Sequence, residues 1–272
     1  MDQTMWTPVS THALELGEGL RRTPGGARWV DLVNGELYAW EPGSGTPVLT
    51  HRLADPLGFA EEDSAGRLIG AAGTGVVELL PDGTAVPLAG TGLDPARYRV
   101  NDGAFAPDGS LWFGTMVHDG SEPDGALWRW DPEGGGGVVQ LRSGIPIPNG
   151  PVFLPDGHSV LISDTDRGRI LRTTTADPGA AEVFARVPEE NPDGMHVDPS
   201  GRIWSAVWGA SRLDVYSETG ERLAAVPVPV RQPTSVLVLD DQVLVASAAA
   251  GLSDPGPLDG CTLTAPLSGL LP

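Results

Sequence analysis

Four oxygen-tipped side chains, Glu18, Asn101, Asn149 and Asp193, stand at matching places in a chain that repeats itself. Counting back eight residues from the last position of a recurring turn gives the series Glu18, Gly58, Asn101, Asn149, Asp193 and Pro233. Carboxylates and side-chain carbonyls are hard ligands, and no Cys or His enters the series. Such a set suits Ca²⁺, Mg²⁺ or Mn²⁺ better than a structural zinc. Taken singly, Asn149-Gly150 and Asp193-Gly194 also read as ordinary turn dipeptides. Their shared place in the repeat is what argues for convergence on one ion, because four buried oxygens without a partner would be costly.

The turn behind this series ends at positions 26, 66, 109, 157, 201 and 241, so the intervals are 40, 43, 48, 44 and 40 residues. It is written Pro107-Asp108-Gly109, Pro155-Asp156-Gly157 or Pro199-Ser200-Gly201, and each copy precedes a short apolar run such as Leu111-Trp112-Phe113 or Ile203-Trp204. At Asp241 a left-handed backbone is the expectation, since Asp tolerates it. A period near 43 with short strands between turn signals predicts an all-β fold, a six-bladed β-propeller with four antiparallel strands per blade. One full unit shows the four runs 151–154, 159–163, 169–172 and 182–185. The last unit exhausts the chain after Thr264, so His12-Ala13-Leu14-Glu15 is expected to supply its fourth strand and close the ring. A single domain over residues 1–272 follows. In a propeller the first strand of each blade lines the central channel, which brings the series together on the axis.

Composition narrows the function classes. Gly 37 and Pro 26 punctuate a chain that is 40% hydrophobic, too apolar for disorder and too interrupted for helices. The formal charge of −19, with every one of the 17 cationic residues an arginine, disfavours nucleic acid and anionic membranes as partners. Without lysine there is no Schiff-base amine and no phosphate-cradle lysine. Cys261 is the sole cysteine, and the start Met1-Asp2-Gln3-Thr4-Met5-Trp6 lacks a basic or apolar leader, so a cytoplasmic protein is the expectation. No Gly-x-Ser-x-Gly elbow or His-Glu-x-x-His pair occurs. Trp29, Trp112, Trp204 and Trp208 fall in strand runs and are expected to pack between blades.

The strings Leu16-Gly17-Glu18-Gly19, Arg99-Val100-Asn101-Asp102-Gly103, Phe113-Gly114-Thr115-Met116, Pro148-Asn149-Gly150 and Pro192-Asp193-Gly194-Met195 carry a resemblance. In order and spacing the chain resembles the family of senescence marker protein (regucalcin), gluconolactonase and luciferin-regenerating enzyme. The resemblance implies a six-bladed propeller with one catalytic divalent metal on its axis, usually hydrolysing lactones. It implies Glu18, Asn149 and Asp193 as metal ligands, with calcium the expected ion and zinc, manganese or magnesium as alternatives. Arg99 and Asn101 would face the substrate, and Asp119 falls where relatives carry an acid that contacts sugar hydroxyls. His196 is expected to pack or to bond beyond the ligands rather than to ligate.

One stretch departs from the family: after Gly19 this chain has Leu20-Arg21-Arg22-Thr23 where relatives continue with Pro and an apolar run containing Trp. The expected activity is opening of a sugar or aldonolactone ring by metal-activated water, with Asp193 as general base. Two other readings stay open. One is a non-catalytic propeller that holds calcium or a small metabolite. The other is the same scaffold running phosphotriester hydrolysis or a biosynthetic cyclisation or condensation, since fold does not fix chemistry. Oligomeric state and substrate identity are not legible.

Overall fold

The computed structural model describes residues 5–135 and 137–271; of the span expected to form one domain, residues 1–4, 136 and 272 lie outside the described residues. The chain enters as β1 (Thr7–Pro8), then lays down the first blade as β2 (Gly17–Thr23), β3 (Gly26–Asp31), β4 (Glu36–Trp40) and β5 (Val48–Arg52). Blade two is β6 (Leu57–Glu62), β7 (Leu68–Ala72), β8 (Gly75–Leu79) and β9 (Ala85–Gly90). Blade three is β10 (Tyr98–Phe105), β11 (Leu111–Val117), β12 (Ala126–Trp130) and β13 (Val138–Ser143). Blade four is β14 (Pro148–Phe153), β15 (Ser159–Asp164), β16 (Arg169–Thr174) and β17 (Glu182–Arg186). Blade five is β18 (Asn191–Val197), β19 (Ile203–Trp208), β20 (Arg212–Tyr216) and β21 (Arg222–Pro227). Blade six is β22 (Pro233–Val238), β23 (Gln242–Ser247) and β24 (Leu263–Pro266), completed by β1 on its outer edge. All ladders are antiparallel, and the result is a six-bladed β-propeller.

Ring closure follows the expected principle but not the expected residues. Thr7 pairs with Thr264 and Pro8 with Leu263, so the fourth strand of blade six is Thr7–Pro8 rather than 12–15. The reason is distance. The next strand in sequence, β2, is innermost, and crossing from the outer edge of a four-stranded blade to the axis spans three strand spacings, about 14 Å. Residues 9–16 make that crossing, held by the Leu14 N–H on Gly260 O at 2.9 Å and by a bridge between Leu16 and Ala248.

The repeated turns are the hairpins between the innermost and second strand of every blade. Asp63, Asp108, Asp156 and Asp198 each accept backbone N–H bonds within their own turn, and the glycines at 66, 109, 157 and 201 have φ of 77°, 82°, 73° and 80°. Asp241 does not take the left-handed backbone expected of it. There the hairpin is closed by two residues only, with Leu239 N–H donating to Gln242 O at 2.8 Å.

Among the described residues six apolar clusters form, one at each blade–blade interface. Trp29 packs between blades one and six, Trp112 between three and four, and Trp204 between five and six. The second strands are covered on both faces, as in the fully buried β11 and β15, whereas the outer strands β9 and β13 are largely exposed. Stability therefore depends on how blades fit side by side, and this wedges the six inner strands around one axis.

Gly58 shows how tight that fit is. A Cβ at this position would lie 2.1 Å from Asn101 O and 3.0 Å from its carbonyl carbon, both rigid backbone atoms of the next blade. Gly58→Ala should therefore lower unfolding free energy by about 1–3 kcal/mol, seen as an earlier urea midpoint. An unchanged midpoint would mean that β6 and β10 do not meet as described.

Candidate active site

Each inner strand breaks its ladder at the same level. The register slips between Glu18 and Arg21, Leu57 and Phe59, Val100 and Gly103, Asn149 and Val152, Pro192 and Met195, and Pro233 and Ser235. A bulge leaves a residue out of the pairing and re-aims its side chain. The repeating series of the sequence thus tracks a ring of six bulges. Gly58, Asn101 and Asp193 fall inside the break, while Glu18, Asn149 and Pro233 are the last paired residues before it, opposite Val30, Ser163 and Ser247.

These four residues, with Arg99 and Asp119, line one cavity of about 760 Å³ at the end of the channel opposite the repeated turns. All six residues expected at the site are brought together there. Glu18, Arg99, Asn101, Asn149 and Asp193 are buried, while Asp119 lies exposed at the rim with Oδ1 accepting the Ser121 N–H at 3.0 Å.

A relay of hydrogen bonds fixes the amides. Arg99 can only donate, so its Nη1 at 2.6 Å from Asn101 Oδ1 forces Asn101 to turn its Nδ2 toward Asn149 Oδ1, 2.7 Å away. Thr165 sends its hydroxyl proton to Pro192 O at 2.7 Å, leaving its oxygen to accept Asn149 Nδ2 at 3.0 Å. Asn149 therefore presents Oδ1, with one lone pair still free, on the axial side. Thr165 had no signal in the sequence, because it sits in a single 3-10 turn (Thr165–Arg167) outside the repeating positions.

The carboxylates are not satisfied in the same way. Asp193 Oδ1 is buried with no hydrogen-bond partner. Glu18 Oε2 accepts only its neighbour's N–H, from Gly19 at 3.2 Å. Burial, then the charge of Asp102, pushes the Glu18 carboxyl from an ordinary 4.5 up to about 8. Burial, followed by the charges of Glu18 and Asp102, holds Asp193 well above its ordinary range. Burial also draws the Arg99 guanidinium down to about 10, which leaves it cationic at neutral pH. Two like charges facing one cavity, an orphaned carboxylate oxygen and an oriented amide oxygen fit a hard divalent cation. No group of three or more His, Cys, Asp or Glu suited to a metal occurs among the described residues, since the third donor here is an amide.

The departing stretch after Gly19 places Arg21 beneath this layer. Its Nη2 lies 2.8 Å from Asp102 Oδ1, and its guanidinium sits 5.2 Å above the Phe59 ring. Asp102 in turn accepts the N–H of Gly103 at 2.8 Å and of Gly150 at 3.0 Å, which anchors the backbone next to Asn101 and Asn149. Asp102 adjoins a column residue, a signal that was available; the reach of Arg21 across the channel was not. His196 lines a separate cavity at that opposite mouth, with Arg21 and Asp102, and so does not join the ligand set. Trp208 corrects an expectation. Unlike Trp29, Trp112 and Trp204 it is half-buried and forms part of the site wall, because it is the last residue of β19, where that strand reaches the cavity.

The SMP-30/Gluconolactonase/LRE-like region matches residues 16–248 of the chain. Over 278 residues the chain is 31% identical to the pentonolactonase XacC of Haloferax volcanii, covering 97% of this chain and 92% of that one. It is 31% identical over 216 residues to a 6-deoxy-6-sulfogluconolactonase of Pseudomonas putida, covering 76% and 73%. The crystal structure of a calcium-binding protein, regucalcin, from Agrobacterium tumefaciens superimposes with a TM-score of 0.87 at 28% identity, covering 97% of this chain and 93% of that one. The match runs from the residue before blade one to the second strand of blade six and takes in every bulge of the ring, so the chain belongs to the SMP-30/gluconolactonase/LRE-like family.

Proposed function

We propose that this chain is a lactone hydrolase that opens a small sugar-type lactone, with one divalent cation held by Glu18, Asn149 and Asp193. The observation that carries the reading is the unpartnered, buried Asp193 Oδ1 beside Glu18 in a cavity whose amides are already oriented. The names of the relatives, a pentonolactonase and a 6-deoxy-6-sulfogluconolactonase, support the substrate class. Calcium is the favoured ion, since all three donors are hard oxygens and the regucalcin neighbour is described as calcium-binding.

When bound, the cation supplies Lewis acidity toward a carbonyl oxygen and lowers the pKa of water. Asp193 accepts the proton of the attacking water at Oδ1, the oxygen left without a hydrogen bond. The water oxygen bonds to the lactone carbonyl carbon, the ring C–O bond breaks, and Asp193 returns the proton to the departing ring oxygen. Arg99, with Nη1 committed to Val100 O and Asn101 Oδ1, keeps its other N–H groups for the oxyanion. Asn101 is held by Arg99 on one side and Asn149 on the other, so it positions rather than moves. Asp119 at the rim contacts substrate hydroxyls.

Two outcomes are expected. Asp193→Ala should lower kcat by at least about 100-fold on an aldonolactone panel while the circular dichroism of the propeller is retained. Exhaustive chelation of the unaltered protein should have the same effect, reversed by calcium; turnover that survives either treatment contradicts the mechanism. The second concerns pH. A carboxyl raised on folding contributes stability that is present below 4.5 and lost as pH rises through about 8. The cation binds the ionised form, so the gain in Tm from calcium over chelator should grow across that window. A gain that stays flat or shrinks would contradict it.

A further inference from the structure

The cavity wall is divided by blade. Blades three to five supply every polar side chain of the wall other than Glu18, interleaved with the apolar Met116, Ile147 and Trp208. Beyond the ligands and the hydrogen-bonded Asn101 and Thr165, the polar ones are Arg99, His118, Asp119 and Asn191. These keep capacity for a ligand. Asn191 Nδ2 donates to Thr165 O at 3.1 Å and leaves its Oδ1, Asp119 leaves Oδ2, and His118 uses only Nε2, on Pro95 O at 2.9 Å. From blades six, one and two, Glu18 aside, the wall is Leu16, Val33, Pro56 and the Ala250-Gly251 pair, with no polar side-chain atom.

The backbone of Leu16, Pro56 and Ala250 on this second side is also committed. Leu16 N–H donates to Asp31 Oδ1 at 3.1 Å and Leu16 O accepts Leu32 N–H at 2.8 Å. Pro56 has no N–H, and its carbonyl accepts Gly73 N–H at 2.8 Å. Ala250 donates to Glu15 O at 2.9 Å and accepts Gln232 Nε2 at 3.0 Å. Leu32 O takes Leu57 N–H at 3.0 Å, which ties the turn bearing Val33 to the segment bearing Pro56. A hydroxyl lying against Leu16 or Pro56 would lose its water and gain no partner. An alkyl group would lose nothing and shed apolar surface. Val33 is 44% exposed at the mouth, an apolar side chain that an alkyl group seated there would cover.

We infer that the substrate is an amphipathic lactone, hydroxylated on the edge that meets blades three to five and carrying a methyl or longer alkyl substituent on the edge that meets Leu16, Val33 and Pro56. This rests on the lactone-hydrolase reading and narrows it: a deoxy or alkyl-substituted lactone is preferred over a fully hydroxylated one. A hydrophobic contact of this size discriminates by about 10–200-fold per methylene in favourable pockets.

The test is kcat/KM of the calcium-loaded protein on three 2,3-dihydroxy-γ-lactones that differ only at C4, bearing hydroxymethyl, methyl or n-propyl. The n-propyl compound should exceed the hydroxymethyl compound by at least about tenfold, with methyl between. Val33→Asp, a change on an exposed turn, should cut that ratio by at least about fivefold. A ratio short of about tenfold, or a ratio unmoved by Val33→Asp, overturns the inference and leaves the lactone-hydrolase reading standing. Hydrolysis of none of the three overturns both.

Discussion

Two buried carboxyl groups, Glu18 and Asp193, line one cavity on the axis of this propeller, and the rest of the structure is organised around holding them there. They come from blades that are not neighbours, and burial raises the proton affinity of both. The charge of Asp102 adds to the rise in Glu18, and those of Glu18 and Asp102 add to the rise in Asp193. Removing two charges from water without compensation is among the least favourable arrangements a fold can contain. The nearest guanidinium, Arg99, donates to Asn101 instead of pairing with either. On the proposed reading a hard cation, which matches these donors, would complete the site.

The frame that imposes this is the set of six apolar interfaces between blades, together with the bulge that each inner strand forms at one level. The interfaces fix the distance of every inner strand from the axis, and the bulges interrupt all six inner strands at the level of Glu18, Asn101, Asn149 and Asp193. Where a blade contributes no oxygen, it contributes closeness. Gly58 lets β6 abut the Asn101 peptide, and Gly19, at φ 61°, would strike Gly58 O within 2.7 Å if it bore a Cβ. Beneath the ring, Asp102 grips the peptides that follow Asn101 and Asn149, and Arg21 neutralises Asp102 from across the channel.

Much of this was written in the sequence because a repeat converts spacing into position. The turns at intervals near 43 residues marked the hairpin behind each inner strand, and eight residues upstream of each lay a bulge. Glu18, Asn101, Asn149 and Asp193 were therefore legible from register alone. What was not legible lies off the repeat. Thr165 orients Asn149 from an isolated turn, and Trp208 faces the cavity because of where β19 stops rather than because of its type. The strand that closes the ring was misplaced by five residues, since nothing in the sequence states how long the passage from rim to axis must be. The unusual Arg21 stood out, but only the fold shows that it reaches Asp102.

The same division of labour extends to the cavity wall, where blades three to five bring all the polar side chains but Glu18, alongside Met116, Ile147 and Trp208, and the other blades bring Leu16, Val33 and Pro56. All of it presupposes that the paired carboxyls take up a cation by giving up protons. Calorimetric titration of the metal-free protein with calcium at pH 7, repeated in buffers of different ionisation enthalpy, measures this directly. The account predicts one ion per chain with release of at least about one proton, because Glu18 is largely protonated below about 8 until the ion arrives. Absence of binding, or binding that releases no proton, would contradict it.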